Sequence, residues 1–168
     1  MKYKIIFFHG FNSSNETNKF EAIKFDKICH NFDYSRLSYA EADKLHSKII
    51  EQELAEPGIS VILVGHSLGG YWALKKSMQY KLAVVLINPQ LFPDRSDIRD
   101  VDKYELTDTR SNPKFAYIET GDEVIDVKRT ISYLADKATM KLHEGGHHRI
   151  QHLEEINNTI RTSMNEKV

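Results

Sequence analysis

A chain of 168 residues has the length of one domain and can bury a core without staples. Two fifths of it is apolar and 28% is charged, close to globular averages, and no repeat or low-complexity tract interrupts it, which excludes a disordered chain. Its 23 Lys and Arg against 24 Asp and Glu leave no net field to gather nucleic acid or an anionic membrane, and one cysteine excludes an internal disulfide or a thiolate metal cluster.

The first predicted strand is the apolar run Tyr3 to Phe8, too short for a signal-peptide core or a membrane span. A helix is expected over Thr17 to His30, which makes Cys29 a packed helical side chain rather than a nucleophile. The lone thiol and the missing export signal together predict a cytoplasmic protein, so the Asn-x-Ser/Thr matches at Asn12 and Asn15 carry no weight.

A strand over Tyr34 to Ser38 comes next, then a helix with Ala42, Leu45 and Ile49 on its buried stripe. Ile59 to Val64 and Leu82 to Ile87 are continuously apolar, as expected of strands buried on both faces of a parallel sheet, and the segment from Ser67 to about Gln79 between them reads as a helix. From Asn88 to Pro113 the rhythm breaks, and this stretch is expected to run over the site as an excursion. Phe115 to Ile118 and Thr139 to His143 complete the strands, and helical stripes follow each, at Val127, Ile131, Leu134 and Ala138, and at Ile150, Leu153, Ile156, Ile160 and Met164. Strand alternating with helix predicts a single α/β domain over residues 1–168, with about six mostly parallel strands, helices on both faces and no large lid.

The chemistry concentrates where strands end. Gly65-His66-Ser67-Leu68-Gly69 stands between an apolar strand and a helix, the context in which Gly-x-Ser-x-Gly forms a nucleophile elbow with Ser67 thrust into the cleft. A serine hydroxyl needs a histidine, and that histidine a carboxylate, each from a later loop. In the loop from Thr120 to Asp126, Asp122 is nearest the strand end and is favoured as the acid over Asp126, which also suits a helix N-cap; Glu123 ranks third. The loop Glu144-Gly145-Gly146-His147-His148-Arg149 offers two histidines. Donors for an oxyanion are expected from the amide of Leu68 and from that of Phe11 in His9-Gly10-Phe11-Asn12-Ser13-Ser14. His143, His147, His148 and His152 lack a metal-ligand spacing, and no nucleotide loop is present, so neither metal nor cofactor is expected.

Together with Gly70-Tyr71, Asn88-Pro89 and Thr120-Gly121-Asp122-Glu123-Val124, these motifs resemble the YqiA/YcfP family of small bacterial esterase-like α/β-hydrolases over almost the whole chain. The resemblance implies His148 as the base, Asp122 as the acid, and activity on short-chain or acyl-CoA-type esters in bacterial cytoplasm. His66 replaces the serine of many relatives, and Arg149 a small residue. The expected function is a serine esterase or thioesterase acting on a small-molecule substrate through Ser67, Asp122 and His148. The competing readings are a non-catalytic binding protein of the same fold, or a peptidase or acyltransferase with the same triad.

Overall fold

A computed structural model of the chain describes residues 2–14, 17–100, 106 and 112–166. Strands β1 (Lys2–Phe8), β2 (Lys27–Cys29), β3 (Ile59–Ser67), β4 (Ala83–Pro89), β5 (Lys114–Glu119) and β6 (Thr139–His143) form one sheet in the order β2-β1-β3-β4-β5-β6. Every neighbouring pair is parallel. The helices are α1 (Asn18–Ala22), α2 (Tyr39–Leu54), α3 (Leu68–Tyr80), α4 (Val127–Leu134) and α5 (Glu154–Asn165).

The central strands are apolar on both faces because both faces are covered. Leu63, Val84 and Leu86 pack with Ile50 of α2, Trp72 and Leu74 of α3 and Leu134 of α4; Ile62, Val64 and Val85 pack on the other side with Ile23 and with Ile156 and Ile160 of α5. Fully buried Lys76 ties α3 to α2, with its ammonium 2.9 Å from Asp43, 2.8 Å from Ser47 and 2.9 Å from Gln79. These acceptors are what make its burial tolerable.

The sequence misplaces elements where local hydrogen bonds override the apolar pattern. Tyr34–Arg36 is a short 3-10 turn and not a strand, because the Asp33 carboxylate accepts the Ser35 amide at 3.2 Å and curls the chain. The helix expected over Thr17 to His30 ends at Ala22, where the Lys27 ammonium donates to the carbonyls of Phe20, Glu21 and Ile23 at 2.7, 3.0 and 2.6 Å. Lys27–Cys29 then turns into edge strand β2, too short to display a period. Cys29 therefore lies on a strand, with burial pushing its thiol up to about 12. In α2 it is Tyr39, Ala42, His46, Ile49 and Ile50 that are buried, with Leu45 half-exposed; α5 begins only at Glu154, so Ile150 and Leu153 precede it.

Of the excursion, residues 101–105 and 107–111 lie outside the described residues, as does Asn15. Leu91 and Ile98 are buried in the core, Phe92 stacks under the Arg129 guanidinium at 3.7 Å, and Arg99 donates to the Arg36 carbonyl at 3.0 Å.

The chain leaves β1 toward β2 on one side and returns to β3 on the other, so a crevice opens at the carboxyl ends of β1 and β3. α3 closes tightly over it: a Cβ on Gly69 would stand 2.0 Å from the Phe8 carbonyl oxygen, and one on Gly65 would stand 2.3 Å from that of Gly69. Gly69→Ala is therefore expected to lower stability by ~3 kcal/mol, read as a lower urea midpoint at unchanged slope.

Candidate active site

Ser67 is both the last residue of β3 and the residue preceding α3, with φ 54° and ψ −127°. A side chain in that region costs roughly 1–3 kcal/mol and persists only where its surroundings impose it. Here the register of β3 with β4 shifts between His66 and Ser67, and the Ser67 carbonyl accepts the Gln90 amide at 2.9 Å. The turn thereby presents the hydroxyl in the crevice.

Two loops meet it. The Ser67 hydroxyl is 3.0 Å from His148 Nε2, and His148 Nδ1 is 2.7 Å from Asp122 Oδ2. A carboxylate can only accept at Nδ1, so the imidazole is a Nδ1–H tautomer whose Nε2 lone pair faces the hydroxyl. The line can thus take a proton from serine and stabilise the resulting imidazolium. The Asp122 side chain is 0% exposed. Burial opposes its ionisation, yet His148 and the amides of Val124 and Ile125 (2.8 and 3.1 Å) hold the carboxyl below its ordinary range.

The other candidates separate cleanly. Asp126 caps α4 by accepting the Arg129 amide at 3.0 Å, and the His147 ring, 59% exposed, faces Glu123 at 3.5 Å. Glu123 accepts the His148 amide at 3.1 Å. Leu68 opens α3 beside Ser67, and the loop bearing Phe11 passes close by: a Cβ on Gly10 would meet Ser67 Cβ at 3.1 Å and its hydroxyl at 3.6 Å. His9 donates from Nδ1 to the Gly10 carbonyl (2.8 Å) and accepts the Phe32 amide at Nε2 (2.9 Å), a neutral pattern that agrees with the lowering of its pKa by burial.

Sequence reasoning assigns no role to three supporting groups, although His66 and Asn88 stand in its motifs. Asn88, at φ 36°, donates to Asp122 Oδ2 (2.8 Å) and the His147 carbonyl (3.2 Å) and accepts the Glu119 amide (2.8 Å). His66 donates from Nε2 to the His148 carbonyl at 2.8 Å, and burial pushes its pKa down to about 3. Glu119, at the end of β5, is wholly buried under the histidine loop. A polar residue ending an apolar strand was the available signal for Asn88 and Glu119. Among the described residues, no group of three or more His, Cys, Asp or Glu could hold a metal ion, and no helix is long and apolar enough to cross a membrane.

A family model described as an uncharacterised protein family, UPF0227, matches residues 4–111. A UPF0227 protein of Shewanella woodyi is 31% identical over 106 residues, which are 60% of this chain and 59% of that protein, so the match spans about three fifths of the curated relative. Among solved structures, Est1E of Butyrivibrio proteoclasticus with bound ferulic acid superposes with a TM-score of 0.79 at 12% identity, covering 99% of this chain and 90% of that one. Zea mays acyl-protein thioesterase 2 superposes at 0.71 and 15% identity, covering 98% and 94%. The fold is that of the α/β-hydrolases. Ser67 falls within the stretch matched by the family model, whereas Asp122 and His148 lie beyond it.

Because the Asp122 carboxyl titrates below its unfolded value of about 3.9, its stabilising contribution is complete above that pH and disappears as pH falls through the folded pKa. Asp122→Asn is expected to flatten the loss of melting temperature between roughly pH 5 and 2, measured by thermal scans across that window. Ser67→Gly, which relieves the backbone strain, is expected to stabilise by about 1 kcal/mol in urea unfolding.

Proposed function

The chain belongs to the UPF0227 family, the YqiA/YcfP-type family that its motifs resemble, and we propose that it is a serine hydrolase cleaving carboxylic esters or thioesters through an acyl-enzyme on Ser67. The observation that carries this reading is the unbroken line from the strained Ser67 hydroxyl through the His148 imidazole to the buried Asp122 carboxylate.

In this mechanism His148 Nε2 takes the Ser67 proton as the oxygen attacks the acyl carbonyl, while Asp122 keeps the imidazole in the Nδ1–H tautomer and stabilises its cation. Negative charge grows on the carbonyl oxygen and is met by the amides of Phe11 and Leu68, aided by the positive end of α3. His148 returns the proton to the departing alcohol or thiol, then activates water to free Ser67 from the acyl group.

The acyl-protein thioesterase among the superposed structures supports an ester or thioester substrate, and the sheet's switch point is where a ligand is expected to bind. No cofactor enters this scheme. A solitary thiol held protonated by burial suits a cytoplasmic setting.

A fluorophosphonate probe should label Ser67 in folded protein and fail after heat denaturation. Ser67→Ala and His148→Ala should each lower turnover of a p-nitrophenyl ester by roughly four to six orders of magnitude. His147→Ala should leave it nearly intact. Silence toward the probe in a folded sample would make the chain a binding protein, and acyl transfer to an added amine or alcohol in preference to water would make it a transferase.

A further inference from the structure

The Glu119 carboxylate is 0% exposed and has no Lys or Arg against it among the described residues. Instead, donors from the loop between β6 and α5 converge on it. Oε1 accepts the amides of Gln151 (3.0 Å) and His152 (3.0 Å), His152 Nδ1 (3.1 Å) and the Tyr117 hydroxyl (3.2 Å); Oε2 accepts the amides of His147 (3.0 Å) and Gln151 (3.2 Å). The loop wraps the carboxylate so closely that Gly146, at φ +73°, leaves no room for a side chain: a Cβ there would stand 2.1 Å from Oε2. Burial opposes the ionised form, and the amides of His152 and His147 prevail over it, keeping the carboxyl below its ordinary range.

These donors bracket His148. The preceding residue, His147, is held by Glu119 at its amide and by Asn88 at its carbonyl, and Gln151 and His152 fasten the far side of the same loop. Ser67 is fixed by the β3–α3 turn and the Asp122 carboxylate by the amides of Val124 and Ile125 in its own loop, which the Gly121 amide also joins to the Gly145 carbonyl at 2.6 Å. Glu123 holds the amide of His148 and His66 its carbonyl, and the curvature of residues 144–152, which the Glu119 carboxylate fills, sets where between them the imidazole stands.

We propose that Glu119 is a positioning residue for His148, its buried carboxylate shaping the 147–152 loop so that one imidazole reaches both Ser67 and Asp122. The proposal rests on the serine hydrolase reading for its kinetic consequence but not for its geometry. Glu119→Gln keeps the volume and replaces one acceptor by an NH2 group. Whichever way the amide turns, that group opposes at least two N–H donors, so the loop cannot keep all its bonds.

The test compares wild type, Glu119→Gln, Glu119→Asp and His152→Ala. Glu119→Gln, folded by circular dichroism, should lose kcat for a p-nitrophenyl ester by on the order of 100-fold with KM little changed, because a displacement of about 1 Å suffices for that loss. The rate of fluorophosphonate labelling should fall in proportion. The downfield proton resonance of His148 Nδ1 bonded to Asp122 should be present in wild type and lost in the variant. His152→Ala removes one ring donor and leaves the loop amides bound, so it should keep most of the activity. A folded Glu119→Gln with lower stability but unchanged kcat and unchanged resonance overturns the proposal. If Glu119→Gln does not fold, Glu119→Asp decides: it retains the charge on a shorter arm, and full activity with an unaltered resonance overturns the proposal, whereas an intermediate kcat with a weakened resonance supports it. Should wild type neither turn over an ester nor take the probe, the hydrolase reading fails alone, and the resonance still decides the role of Glu119.

Discussion

The close approach of α3 to the ends of β1 and β3 is the constraint on which the rest of the molecule depends. Gly65 and Gly69 remove the side chains that would hold helix and strands apart, with Cβ positions falling 2.3 and 2.0 Å from backbone oxygens. Once the helix is drawn down, the connecting residue has no relaxed conformation, and Ser67 takes φ 54°. Packing thus places a strained side chain at the crevice where the sheet reverses its strand order. Strain, position and the amino end of α3 have one cause.

A polar lattice borders the serine so placed. That lattice runs laterally along the strand ends: Asn88, one residue before the end of β4, touches both the Asp122 and the histidine loops, Glu119 ends β5 and gathers the amides of the second, and His66 in β3 holds the His148 carbonyl. Parallel strands deliver these residues to one edge in consecutive order. Asn88, Glu119 and His66 are each matched by donors or acceptors from the loops after β5 and β6, and these bonds outweigh the burial that opposes charge on Asp122 and Glu119.

Similarity to known proteins divides along the same line. The family model covers residues 4–111, which hold the tight β3–α3 turn, while the loops bearing Asp122 and His148 follow it. Est1E and the acyl-protein thioesterase share the architecture at 12% and 15% identity, so the architecture persists where few residues do. His66, inside β3, reaches from the sheet to the carbonyl of His148 in the loop that follows the matched stretch.

The pattern of residues alone places the parallel sheet, the strands β1, β3, β4, β5 and β6, and Ser67 at the strand-to-helix turn. These features follow from short-range properties: continuous apolar runs need cover on both faces, and glycines flanking a serine between strand and helix permit only a sharp turn. Residue types also narrowed the partners to two histidines and three carboxylates. Loop position favours Asp122 and the family resemblance implies His148, and the tertiary structure adds the directions of these side chains: the His148 ring lies 3.0 Å from Ser67 and 2.7 Å from Asp122, while His147 faces Glu123 and Asp126 caps α4. It also decided that Tyr34–Arg36 is a turn, that Lys27–Cys29 is a strand, and that Glu119 lies beneath the histidine loop. Each of these depends on hydrogen bonds: an Asp33 carboxylate, a Lys27 ammonium, three distant amides. Such bonds are directional and close over a few ångströms, and a chain's order of residues does not encode those distances until it has folded.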